Sequence, residues 1–269
     1  MSSKMEAQSS GNVVQGEITV FGFGKSFLGP CLSPFNLKLQ TYLRMTDIKY
    51  KPWFTTKMPS KGKIPYIEHN GKIVEDSSFI IQHLNSEYKK DLNAHLTPAE
   101  KAIALSFQRL VEDNLYWTLA YQRWLMDDSI LDLIPFPNRF ATKLFSWYTS
   151  LKLRPDLRKN MRGQGIGRHS EEEILKIAKL DLGAIADFLG EKEFFMGSQP
   201  SEVDAVIFGF VGLMTFTGSN SVSAKDVKEN HPNLVAYVER MKQLYWPDWD
   251  KLCIPEGTTS WDEMQQQCG

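Results

Sequence analysis

The chain has 269 residues, 42% hydrophobic and 23% charged, with a net charge of −1; this is a soluble globular composition with length for one large domain or two small ones. So balanced a charge gives no electrostatic footprint for nucleic acid, and that class of partner is excluded. Cys31, Cys253 and Cys268 are too few and scattered for a disulfide framework or a zinc site, which fits a reduced, cytoplasmic protein.

Residues 1–16 are polar, with no apolar h-region, and read as a tail rather than a signal peptide. Glu17 to Phe23 is β-branched and aromatic and predicts a first strand. Gly24, Gly29 and Pro30 break it into a loop. Ser33 then stands as an N-cap with Pro34 at the first helical position, where a missing N–H costs nothing. That helix should run to about Met45, with Phe35, Leu39, Tyr42 and Leu43 on one face. Asp47 to Trp53 predicts a second strand, followed by a polar loop bearing Lys57, Lys61 and Lys63. Pro65 opens a third strand, Tyr66 to Glu68. Asn70-Gly71 signals a hairpin turn into a fourth, Lys72 to Val74. A helix from Ser77 or Ser78 to about Lys89 closes the unit, and βαβ-ββα in so short a span is the thioredoxin-like pattern.

No comparable strand signal follows. Thr97-Pro98-Ala99-Glu100 is a capping box that starts a long helix reaching about Met126. Further helices are predicted near 138–151, 171–189, 203–216 and 234–244, two of them opened by Ser170-Glu171-Glu172-Glu173 and Ser201-Glu202-Val203-Asp204. The most apolar stretch, 205–216, is interrupted by Gly209 and Gly212 and falls short of the ~20 residues a bilayer span needs, so no transmembrane anchor is expected. Thus 17–90 reads as a thioredoxin-like α/β domain, 97–250 as an all-helical domain and 251–269 as a tail. Gly163-Gln164-Gly165-Ile166-Gly167 has no strand before it and the wrong spacing for a dinucleotide fingerprint. It reads as a loop before the Ser170-capped helix. His69, His83, His95, His169 and His231 show no metal-ligand spacing.

Several stretches in this order, Ser33-Pro34-Phe35, Lys63-Ile64-Pro65, Glu75-Asp76-Ser77 with Ile80, Glu112 to Trp117, Gln164 to His169, and Gly197 with Ser201-x-x-Asp204, resemble the glutathione transferase fold. Within it they are most similar to the failed-axon-connections and metaxin-like branch. The resemblance covers roughly residues 17 to 250. It implies glutathione as co-substrate, a hydrophobic electrophile as second substrate, a detoxification-type activity and possible homodimers. A non-catalytic ligand-binding protein, or a metaxin-like interaction module at a mitochondrial surface, are the rival implications.

Glutathione chemistry needs a thiolate at neutral pH, although a free thiol titrates near 8.5. A donated hydrogen bond and a helix N-terminus both favour the anion. Ser33, which matches the family's Ser or Cys before Pro-Phe, would supply the hydroxyl; its alternative role is plain capping. A serine there supports conjugation or isomerisation rather than thiol–disulfide exchange. Phe21 and Phe23 stand where a tyrosine mechanism would place its base, while Ser26 and Cys31 are other groups within the same loop. Pro65 matches the family's cis-proline, which would turn the backbone of Ile64 toward the cysteinyl segment. Asp76 and Ser77 match the pair that holds the γ-glutamyl end at a helix N-terminus, or they simply cap. Lys63, ahead of Lys57 and Lys61, would meet the glycyl carboxylate unless it is merely solvated.

The second substrate would lie against the first long helix. Trp117, Tyr121 and Trp124 share one face at i, i+4 and i+7, with Tyr116 roughly 100° away. Such a stripe serves a core as readily as a pocket. Arg123 would bind an acidic substrate or pair with Asp127 four residues on.

Overall fold

The structure, a computed structural model, describes residues 16–126, 129–134, 136, 138–217 and 221–255. Strands β1 (Ile18–Gly22), β2 (Lys51–Phe54), β3 (Tyr66–His69) and β4 (Lys72–Glu75) form one sheet in the order β2-β1-β3-β4. β1 runs parallel to β2 and antiparallel to β3, with Val20 opposite both Pro52 and Ile67. Alternation puts Ile18, Val20 and Ile67 on one face, where they meet Leu39, Tyr42, Leu43, Ile80, Ile81 and Leu84 of helices α1 (Pro34–Met45) and α2 (Ser77–Tyr88). The hairpin turn places Asn70 and Gly71 at φ 52° and 73°, the pair of left-handed residues that matches strand twist. β2 begins later than the sequence implies. Asp47 turns at φ 53° and the Ile48 N–H bonds back to the Leu43 carbonyl (2.9 Å), so 47–50 close α1 instead of extending the strand.

The α2 cap falls on Asp76, the earlier of the two helix starts the sequence allows. Asp76, at φ 76°, accepts from the backbone N–H of Ser78 (2.9 Å) and Phe79 (3.3 Å), so Ser77 is the first helical residue and not the cap.

The helical domain opens as predicted at the Thr97–Glu100 capping box with α3 (Pro98–Arg109). A π-helical turn, Leu110–Leu115, carries the chain into α4 (Tyr116–Tyr121), and another, Gln122–Met126, ends it. The expected helix at 138–151 is longer. Asn138 caps α5 (Arg139–Tyr148), which continues through a π turn at Thr149–Leu153 into α6 (Arg154–Gln164). Pro155 cannot donate to the carbonyl four residues back, and the ladder loosens just before it. Most of the glycine-rich stretch is therefore helix α6 and a 3₁₀ turn, Ile166–Arg168, rather than an open loop. α7 (Glu171–Leu189) follows its capping box. Then come α8 (Glu202–Ile207), a π turn at Phe208–Gly212 and α9 (Leu213–Thr217). The polar α10 (Val222–Asn230) and the four-residue α12 (Trp249–Leu252), which flank α11 (Pro232–Tyr245), were not legible in the pattern. Asp204 is fully buried: one oxygen accepts from Ser201, the other from the Phe195 N–H (2.7 Å) and the Tyr237 hydroxyl (2.8 Å). No helix among the described residues is long and apolar enough to cross a membrane.

α1 is the axle between the domains. Leu39, Tyr42 and Leu43 face the sheet, while Leu37 enters the main helical core with Val206, Phe210 and Leu213. Contact is close because Gly209 lies on α1: a Cβ there would come 2.8 Å from the Pro34 carbonyl oxygen and 2.9 Å from the Lys38 nitrogen. Gly209→Ala should therefore destabilise by about 1–3 kcal/mol. Gly163→Ala, in the last turn of α6 with open space around it, should stabilise by about 0.5–1 kcal/mol. Urea unfolding of both variants checks the contrast.

A second prediction comes from α7. Asp181 accepts from the Asn114 amide (2.7 Å); burial pushes its carboxyl up to about 6, against the opposing effect of that bond. The native state then holds more protons than the unfolded chain between about pH 4 and 6, and stability falls as pH rises through that window. Asp181→Asn should raise the melting temperature above about pH 7 and leave it unchanged below about pH 4.

Candidate active site

The site is assembled around the N-terminus of α1. Ser33 has an extended backbone (φ −97°, ψ 121°), and its Oγ accepts from the Asn36 N–H at 3.4 Å. That long capping bond leaves the hydroxyl proton to donate. Phe35 fixes the helix start to the helical domain, its ring meeting those of Tyr116 and Phe210 edge-on, each at 5.1 Å.

The loop before Ser33 is used up in holding itself. Ser26 is fully buried; its hydroxyl donates to the Gly29 carbonyl (3.1 Å), and its carbonyl accepts from Ile254 (2.9 Å). Trp249 donates to the Leu28 carbonyl (3.3 Å). Cys31 is equally buried and donates to the Ser33 carbonyl (3.5 Å); burial pushes its thiol up to about 12, outweighing that bond and Arg123. It stays a thiol at neutral pH and is no redox nucleophile.

Arg123 brings a cation to this corner. Its Nη1 donates to the Leu32 carbonyl at 3.1 Å, one residue before Ser33. Burial lowers its pKa to about 10, opposed by Cys31 and Tyr116, so it is charged at neutral pH. Burial raises the Tyr116 hydroxyl, against the pull of Arg123. Tyr116 and Arg123 are seven residues apart, which is one face of a helix, and the sequence could have shown this pairing. Asp127, the other partner considered for Arg123, lies outside the described residues. Trp117 and Tyr121 point elsewhere. Both pack against the small cluster of Met161, Ile166 and Ile174, although the Trp117 ring also meets Tyr116 at 5.2 Å, and the Tyr121 hydroxyl donates to Glu171 (3.2 Å). Trp124 is half-buried.

On the sheet side, the Ile64–Pro65 peptide is cis, Pro65 is buried and Lys63 is exposed. Glu75 accepts from the Ser60 hydroxyl (2.5 Å) and the Lys61 N–H (2.7 Å), bonds that hold its carboxyl below the usual range and pin the lysine-bearing loop. Lys61 itself lies over the Phe79 ring; Lys57 is exposed. Asp76 caps α2 through Oδ1 alone.

Ser77 carries the main surprise. It accepts, at 3.2 Å, from Lys38, a lysine on α1 with 1% exposure. The Lys38 ammonium makes its three bonds to Ser77, the Ser78 hydroxyl (2.8 Å) and Glu112 (2.5 Å). Gln108 bonds the other Glu112 oxygen (3.1 Å) and Ser78 (2.9 Å). This fully satisfied cluster ties α1, α2 and the first π turn together beside the proposed ligand contact. Its signal was a lysine between Phe35 and Tyr42, three and four positions away on the apolar face.

Two clefts of about 500 and 520 Å³ are not lined by Ser33, although Asn36, which bonds it, borders the first. One is walled by β2, the outer face of α1 and the end of α11, including Phe54, Gln40 and Tyr245; the other lies among Phe27, Phe216 and Trp249.

Residues 34–130 match the glutathione S-transferase N-terminal domain and residues 178–241 the C-terminal domain. An isoprene-epoxide–glutathione S-transferase of Rhodococcus sp. (strain AD45) is 32% identical over 85% of this chain and 99% of its own length. The chain belongs to the glutathione S-transferase superfamily. Within the superfamily it falls in the failed-axon-connections and metaxin-like branch. Failed axon connections of Drosophila melanogaster is 32% identical over 88% of the chain, which spans 60% of the fly protein's length. Metaxin-2 of Mus musculus is 23% identical over 80% of the chain and 83% of its own length. A solved transferase structure of Ceriporiopsis subvermispora, in complex with glutathione, superposes with a TM-score of 0.58 at 17% identity, covering 89% of this chain and 99% of that one. A thioredoxin-like domain followed by a helical domain is thus the transferase architecture.

Removing one member of the Lys38–Glu112 pair should be far worse than removing both. Lys38→Met is expected to cost about 3–5 kcal/mol, because Glu112 stays buried, while Lys38→Met/Glu112→Leu should recover most of the loss. Denaturant titration of both variants distinguishes the outcomes.

Proposed function

We propose that this superfamily member binds glutathione and transfers it to a small hydrophobic electrophile. The observation that carries the proposal is the convergence on one corner of the α1 N-terminus, the Ser33 hydroxyl and the Arg123 guanidinium. All three favour an anion, and the anion this family handles is a thiolate. Ser33 would donate its proton to the sulfur as a hydrogen bond, and Arg123 would stabilise the same charge across the Leu32 carbonyl. The Ile64 backbone would pair with the peptide, Ser77 would donate to the γ-glutamyl carboxylate while accepting from Lys38, and Asp76 Oδ2 would take the ammonium. Lys63 is the exposed cation for the glycyl carboxylate.

The thiolate would attack an electrophilic carbon, forming a C–S bond as the bond to the departing oxygen or halide breaks; an epoxide oxygen would be protonated by water. The epoxide named in the bacterial relative makes a small epoxide a sensible test electrophile. Tyr116 and Trp124 would flank it.

Ser33→Ala should lower kcat/KM with such an electrophile by about 10- to 100-fold, with glutathione affinity within a few-fold of the parent. Arg123→Gln should raise the thiol pKa of bound glutathione, read from thiolate ultraviolet absorbance against pH. Unchanged turnover in Ser33→Ala would sink the serine mechanism. A second reading, a non-catalytic ligand-binding or protein-interaction module, is favoured by two clefts that Ser33 does not line. Glutathione binding by calorimetry without turnover would establish it.

A further inference from the structure

Helix α5 is turned inside out. Phe140, Leu144 and Trp147, which lie within about 60° of arc on a helical projection, are 74%, 54% and 64% exposed. Leu151 in the following π turn is 60% exposed. The face toward the protein carries Ala141, Thr142 and Ser146 with one large apolar side chain, the half-buried Phe145 against Phe136, then the buried Thr149, and no residue of α5 is fully buried. Soluble helices present the opposite arrangement, as α7 does with Ile174, Ala178, Leu182 and Ile185 inward. A contiguous apolar stripe of this kind marks an interaction surface.

Charge identifies what covers it. Residues 139–164 hold seven lysines and arginines against the single Asp156, while the whole chain is −1, so everything else carries −7. Lys143 borders the apolar stripe, and Lys152, Arg158 and Lys159 continue the basic surface along the same continuous helix, all exposed. Large apolar side chains on one face with lysine and arginine beside them, lying lengthwise on the surface, are the features of a helix seated in a membrane interface. A second copy of the chain seated helix to helix is the poorer occupant, because that pairing would set this basic helix against itself.

We propose that the exposed face of 139–152, with the basic start of α6, docks on the surface of an anionic lipid bilayer. Phe140, Leu144, Trp147 and Leu151 enter the acyl boundary, and the cations meet the headgroups. The seating is peripheral and does not depend on glutathione chemistry.

Co-sedimentation of the full chain with phosphatidylcholine vesicles, with and without phosphatidylserine, tests it. Affinity should be on the order of a hundredfold higher for the anionic vesicles at low salt and fall steeply as salt is raised. Leu144→Ser/Trp147→Ser and Lys143→Glu/Lys152→Glu should each abolish most of this binding with unchanged melting temperature, since all four side chains are exposed. Equal binding to both vesicle types, or no binding, overturns the proposal. So does a dimer, seen by sedimentation velocity without lipid, that Leu144→Ser/Trp147→Ser dissociates.

Discussion

A lysine buried in the middle of α1 is the constraint on which the arrangement of the two domains depends. α1 is covered by the sheet on one side and the helical domain on the other, so Lys38 has no path to solvent. An ammonium there is tolerable only if every N–H finds an acceptor and a counter-charge stands close by. Those acceptors come from α2 and from the π turn after α3. The pair thereby sets the position of α2 against both domains, and with it the place of Ser77 and the Asp76-capped helix start. The Gly209 contact acts at the same helix from the other side, by letting two backbones approach where a methyl group would not fit.

The same helix presents its N-terminus to the proposed site. A helix N-terminus attracts an anion weakly when exposed and more strongly when partly buried. Here the corner is enclosed by Phe35, Tyr116 and the Cys31 loop, and it receives Arg123 from the helical domain. Enclosure separates two sulfur chemistries. It raises the Cys31 thiol out of the working range, because burial outweighs both the bond to the Ser33 carbonyl and the Arg123 charge. A thiol brought in by a ligand would instead meet the Ser33 hydroxyl directly. Fold membership does not by itself confer turnover, and the relatives include proteins named for axon connections and as metaxins beside a named transferase.

Elements with local signals were legible in the sequence. The Thr97 and Ser170 capping boxes, Ser33-Pro34 and Asn70-Gly71 state their geometry within a few residues, and the helices and turn formed there. The four strands and their thioredoxin-like order were readable for the same reason. The misplaced start of β2, the Asp76 cap and the run of α5 into α6 each involve a backbone choice between two locally acceptable options. The polar α10 owes its form to packing of Val227 on the main core rather than to its periodicity.

The sequence by itself determined a thioredoxin-like α/β unit followed by helices and the identity of the residues at the α1 and α2 N-termini, because caps, turns and periodicity are short-range. Tertiary structure alone decided that Arg123 reaches Leu32 while Trp117 and Tyr121 join another cluster, that Ser77 is held by Lys38, and that the apolar face of α5 points outward. Each depends on which groups from distant segments are brought within a few ångströms and which surfaces are withdrawn from water, and both are fixed only when the two domains close on α1.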